Sequence, residues 1–163
     1  MPGDGAPTSA PAGGPPRLWT VGEANARLPA LRELLPRLRS WATRLVEVQA
    51  ELARLAKFWG EELASRDHPD HGLSERLEAE ARNLARRLDE AVGALRAEGI
   101  EIKHLDTGLV DLFGLVDGEL VYLCWRSDEP EVAFYHPLTG GFAGRRPLPS
   151  GARSVSSSPR GSG

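Results

Sequence analysis

The hydrophobic period of this chain changes once, near Gly99, from about 3.6 residues to about 2, which divides the folded part into a helical half and a strand half. Upstream of Gly99 the apolar positions Leu31, Leu35, Leu38, Ala42, Leu45, Val48, Leu52, Leu55 and Trp59 lie three or four apart, a stripe down one face of a long helix. The stretch RDHPDHG interrupts the pattern with Pro69 and Gly72, and Leu73, Leu77, Ala81, Leu84, Leu88, Ala91 and Leu95 resume it. Two amphipathic helices joined by a short loop predict an antiparallel helical hairpin over 28–98, with Gly99 as a left-handed C-terminal cap. The first arm, roughly 57 Å, outruns the second, roughly 39 Å, at 1.5 Å per residue. The surplus of the longer stripe therefore needs cover from the strand half or from a second chain, and Trp41, Phe58 and Trp59 are the candidate interface residues.

Ahead of the hairpin, TVGE reads as a capping box, Thr20 capping the first turn and Glu23 reaching back to Thr20. A short helix is expected over 21–27. Pro29 suits the first turn of a second helix starting near Leu28, and Pro36 is expected to bend that helix or delay its start.

After Gly99 the runs IEIKHL, GLVDLF, ELVYLCWR, EVAFYH and FAGRRPL predict an antiparallel β-meander of three to five strands over 100–148. Asp117-Gly118 is a type I′ hairpin signal, because both central positions of that turn need positive φ. If SDEP closes a second hairpin with Arg126 opposite Glu131, then Cys124 faces Ala133, Tyr122 faces Tyr135 and Val121 faces His136. In that register Val121, Leu123, Trp125, Val132, Phe134 and His136 form the core face, and Cys124 and His136 lie on opposite faces of the sheet. The fold class is thus α+β, a long antiparallel helical hairpin followed by a small antiparallel meander.

The chain has 163 residues, 40% hydrophobic and 26% charged, with net charge -3, the range of one ordinary soluble domain. Arginines interleaved with glutamates exclude an unbalanced basic block, so no nucleic-acid partner is expected. Cys124 is the single cysteine, which excludes an intramolecular disulfide and fits a reducing compartment. The N-terminus lacks a basic start and an apolar run, and no segment approaches the roughly 18 apolar residues of a membrane helix. A cytoplasmic location with no membrane partner is expected. Gly, Pro, Ala and Ser dominate 1–17 and 149–163, which reads as disordered tails around a single domain over 18–148.

The motifs TVGEANARLP, GIEIKHLDTGLVDLF, VYLCWR, EPEVAFYH and GFAGRRPL, in that order over 18–148, resemble the bacterial family called domain of unknown function 2203. Two departures, Tyr135 where the family often has tryptophan and Ser127-Asp128 where it often has a glycine, bear on the geometry of the intervening turn. The resemblance implies no assigned activity.

The chemistry-bearing residues of the strand half are His104, Asp106, Asp111, Glu129 and His136, all near strand ends or turns. Histidine and carboxylate ligands suit zinc, manganese or iron, and an open position suits hydrolysis, although the spacing matches no established ligand motif. No cofactor is predicted, and a divalent metal is the one these residues leave open. In GGFAGRRPL, Arg145 and Arg146 form a candidate anion-binding pair, with two exposed arginines on a hairpin as the plainer alternative. The leading functional expectation is a cytoplasmic interaction or structural module that homodimerises through its hairpin or binds another protein. The alternative is a small metal-dependent, hydrolase-like enzyme using His136, Asp111 and Glu129.

Overall fold

A computed structural model describes residues 17–150. The expected tails lie, apart from residues 17, 149 and 150, outside the described residues. The chain forms α1 (Val21–Trp59), a 3-10 turn (Gly60–Ala64), α2 (His71–Ala97), and strands β1 (Ile100–His104), β2 (Leu109–Val116), β3 (Glu119–Arg126), β4 (Phe134–Pro137) and β5 (Arg146–Pro147). The strands make one antiparallel sheet in the order β1-β2-β3-β4-β5. The α+β class and the meander stand as read from the sequence.

The capping box is present: Glu23 N donates to Thr20 Oγ1 at 3.2 Å and Thr20 N donates to Glu23 Oε2 at 3.0 Å. From this cap a single helix, rather than two, runs through both Pro29 and Pro36. Each proline removes one i→i−4 hydrogen bond. The helix persists because Val21, Ala24, Leu28, Leu31, Leu35 and Leu38, at helical spacing, are all buried on one face. Both prolines point to solvent from the opposite face.

That face packs on Ile100, Val110, Leu112, Val121, Leu123, Trp125 and Val132 of the strand half, which with Trp19 and Leu95 form the larger of two cores. The sheet thus covers the surplus of the longer arm. Past Leu38 the arm turns to α2, and Val48, Leu77 and Leu84 make a second core flanked by Trp41, Leu45, Leu52, Leu55, Leu73 and Ala81. Arginines on α1 tie it to its neighbours: Arg27 pairs with Glu98 at the end of α2, while Arg32 donates to the Pro130 carbonyl and Arg39 to that of Leu105 in the strand half. At the hairpin tip Trp59 Nε1 donates to Asp70 Oδ2 at 2.9 Å, and its ring meets His68. Of the candidate interface residues, Trp41 and Trp59 are therefore occupied within the chain, and only Phe58 stays open, 77% exposed.

Asp117 (φ 51°) and Gly118 (φ 80°) form the expected tight turn and place Val116 opposite Glu119. The next connection departs from expectation. SDEP is not a tight turn but part of a loop over 127–133, in which Val132 plugs the core and its N–H donates to Asn25 Oδ1 on α1 at 2.7 Å. The register moves by one residue: Cys124 opposes Phe134, Leu123 opposes Tyr135, Tyr122 opposes His136 and Val121 opposes Pro137. A one-residue slip sends each β4 side chain to the other face. Tyr135 packs toward the core, whereas Phe134 and His136 join Tyr122 and Cys124 on the outer face. In this register Tyr122 faces His136 rather than Tyr135, and β4 starts at Phe134, so Glu131 is not a ladder partner of Arg126. The Arg126 guanidinium binds Asp128 instead.

Candidate metal centre

Three side chains of metal-ligating type meet on the outer face of the sheet. The tight β2–β3 turn sets Asp111 opposite Cys124, and the β3–β4 register brings His136 beside them from the next strand. Their ligand atoms all lie within 4.8 Å of one another, and the residues are 1%, 0% and 2% exposed. Such burial on an outer face needs a roof. Arg145 supplies part of it, its guanidinium 4.2 Å from the centre of the Phe134 ring and 4.7 Å from that of Phe142.

The hydrogen bonds orient the centre. His136 Nε2 lies 2.9 Å from Asp111 Oδ2, and His136 Nδ1 lies 2.8 Å from the Pro137 carbonyl oxygen. A carbonyl only accepts, so Nδ1 carries a hydrogen, and a single hydrogen lies between Nε2 and Oδ2. Asp111 Oδ1 is buried and has no hydrogen-bond partner. Leaving such an acceptor unpaired costs roughly 1–3 kcal/mol. Burial first, and the Asp111 carboxylate second, push the Cys124 thiol up to about 12. The arrangement is not that of an activated nucleophile, since both imidazole nitrogens are engaged elsewhere and the thiol is held neutral.

Beside the centre, Arg145 makes two hydrogen bonds to Glu129, at 2.6 and 2.7 Å, and a third to the Cys124 carbonyl at 3.2 Å. Glu129 also accepts from Arg126 N at 2.9 Å. Burial works to raise the Glu129 carboxyl, but Arg145 and the Arg126 N–H outweigh it and hold the group below the usual carboxylate range. This pair clamps the roof to the β3 backbone.

Of the five residues expected to converge, only Asp111 and His136 do. Glu129 is committed to Arg145, whereas His104 and Asp106 are exposed at the β1 end and the following turn. The arginine pair divides in the same way: Arg145 spends its charge on Glu129, and Arg146 is exposed on β5 opposite Tyr135. Cys124 is the member that the expected register had excluded. Its pairing with Asp111 was readable from Asp117-Gly118, because a two-residue turn counts back six positions on each strand to these two residues.

Comparison with curated proteins and with solved structures finds no match to this chain. The family model of an uncharacterized conserved protein matches residues 17–148, a span that takes in the whole hairpin, the sheet and the centre. The chain therefore belongs to the family called domain of unknown function 2203 (DUF2203).

Proposed function

We propose that the chain is a metal-dependent protein of the hydrolytic class, whose centre is a divalent ion held by Asp111, Cys124 and His136. The observation that carries this reading is the buried Asp111 Oδ1, without a hydrogen-bond partner, beside a thiol and an imidazole. The protonated Cys124 thiol is the donor beside that carboxylate, and a cation that displaced its proton would satisfy the oxygen more fully. The orientation of His136 adds support: a metal-binding histidine ordinarily gives its other N–H to a carbonyl or carboxylate, as Nδ1 does here to Pro137. A set of one oxygen, one sulfur and one nitrogen ligand suits zinc. Held by these three side chains, such an ion would have room for a further ligand, and the chemistry it would supply is a water acidic enough to act as a nucleophile near neutral pH.

The test is elemental analysis with native mass spectrometry on protein purified without chelator or affinity metal. Wild type is expected to hold one zinc-class ion per chain, and His136→Ala and Asp111→Asn to lose it. A wild type that stays metal-free after incubation with zinc removes the reading.

A second reading, of another class, rests on the hairpin tip. We propose that Phe58 marks a self-association surface: it stands at the rim of a groove of about 620 Å³ lined also by Leu55, Trp59, Arg54, Lys57, Glu51 and Asp70. Both charge signs occur on this patch, which is compatible with pairing against its own copy. Sedimentation velocity checks it. Wild type is expected to show a concentration-dependent mass that Phe58→Ser abolishes, and a wild type that is monomeric at every concentration overturns it.

A further inference from the structure

A cavity of about 270 Å³ opens on the outer face of the sheet next to the Asp111, Cys124 and His136 centre, lined by Arg96, Gly99, Ile100, Glu101, Phe113 and Tyr122. Phe113 and Tyr122 are cross-strand neighbours of β2 and β3, with ring centroids 5.7 Å apart and planes inclined at 59°. They make an aromatic wall. Asp111 and Phe113 are two residues apart on β2, so their side chains leave the same face roughly 7 Å apart. The Tyr122 ring also lies 5.5 Å from that of His136. Cavity and centre therefore share a partition.

The charge around the cavity is unbalanced. Glu101 is paired with Lys103 at 3.1 Å, and the Lys103 ammonium also lies 5.4 Å from the centre of the Tyr122 ring. Burial opposes the charge on Lys103, but Glu101 outweighs it and makes the proton harder to remove. That pair is neutral as a unit. The Arg96 guanidinium, on the last turn of α2, has no hydrogen-bond or ion-pair partner among the described residues. An aromatic wall and one unspent guanidinium ask for a flat apolar body with an anionic end.

We propose that this cavity binds a small planar carboxylate, an aromatic or conjugated acid of one or two rings. Its ring lies against Phe113 and Tyr122, and its carboxylate pairs with Arg96. The site goes beyond the metal reading and does not require an ion to bind its ligand. It supplies the class of molecule that sits beside the centre.

The experiment is a saturation-transfer NMR titration of the full chain with benzoate, cyclohexanecarboxylate and benzyl alcohol, after chelator treatment and again with zinc added. Benzoate is expected to bind saturably in the millimolar range, and both the non-planar acid and the uncharged alcohol at least about tenfold more weakly. Arg96→Gln, an exposed change that leaves the cores intact, is expected to weaken benzoate about tenfold. Arg54→Gln at the distant hairpin tip is expected to leave it unchanged. The proposal is overturned if benzoate shows no saturable binding, or binds Arg96→Gln as it binds wild type. Benzoate binding by a chain that takes up no zinc counts against the metal reading alone, and zinc uptake without benzoate binding counts against this proposal alone.

Discussion

Cys124 is fully buried and its thiol is pushed up to about 12, so in the metal-free protein it is neutral and inaccessible at ordinary pH. A thiol-specific chromogenic reagent at pH 8 is expected to leave the native protein untouched and to label one group once urea unfolds it. Rapid labelling of the native chain contradicts the buried centre. A metal ligand must give up its proton, so zinc added in weak buffer is expected to acidify the solution, with protons from the thiol and from the hydrogen between His136 and Asp111. Glu129→Gln belongs to the same scale. The Glu129 carboxyl is held below its ordinary 4.5, so as pH falls the unfolded chain takes up this proton before the native one. The stabilisation is therefore complete above about pH 4.5 and is lost as pH falls through the lower native value. Glu129→Gln is expected to cost about 2–3 kcal/mol at pH 7, because Arg145 is left largely buried without its counter-charge. Urea midpoints of the two proteins from pH 7 to pH 3 are expected to converge at the acid end, and a gap independent of pH refutes the assignment.

The elements show why part of this fold was legible and part was not. Thr20 with Glu23, the leucine stripe, Gly99 and Asp117-Gly118 each specify their structure within a few residues, and each appears as read. Pro29 and Pro36 were misleading, because their local preference is overridden by leucines that meet a sheet some eighty residues downstream. The loop over 127–133 was not legible for the same reason. Its register depends on where Val132 can enter a core built by α1 and on Asn25 receiving its N–H, and neither constraint lies within the loop. That single slip hid the candidate site, since it decides whether His136 joins Cys124 or faces the opposite layer. The continuous helix makes a prediction of its own. Pro36 is exposed inside α1, so Pro36→Ala is expected to restore a backbone hydrogen bond without disturbing packing, and to stabilise the chain by about 1–3 kcal/mol. Thermal melts followed by circular dichroism measure it. An unchanged or lowered midpoint means that the helix needs the proline's bend to reach the sheet.

At the scale of the molecule, α1 is a shaft of 39 residues, about 58 Å at 1.5 Å per residue, with a different core at each end. The sheet end buries Trp19, Trp125 and a close-packed set of branched side chains around α1, whereas the buried apolar side chains of the second core, beyond Leu38, are Val48, Leu77 and Leu84 among the described residues. Unequal burial means unequal local stability, so the distal hairpin is expected to open without the sheet. The two proposed activities sit on these two ends, the centre beneath the roof of Arg145 and the tip at Phe58. Groups this far apart with no shared partner act independently. Hydrogen exchange separates the ends directly. Zinc is expected to slow exchange in β2, β3 and β4, which carry the ligands, and to leave residues 48–59 exchanging as before. Phe58→Ser is expected to leave zinc affinity unchanged, and His136→Ala to leave sedimentation unchanged. Protection spreading to the tip on zinc addition contradicts this division, because the shaft would then be transmitting the state of the centre along its length.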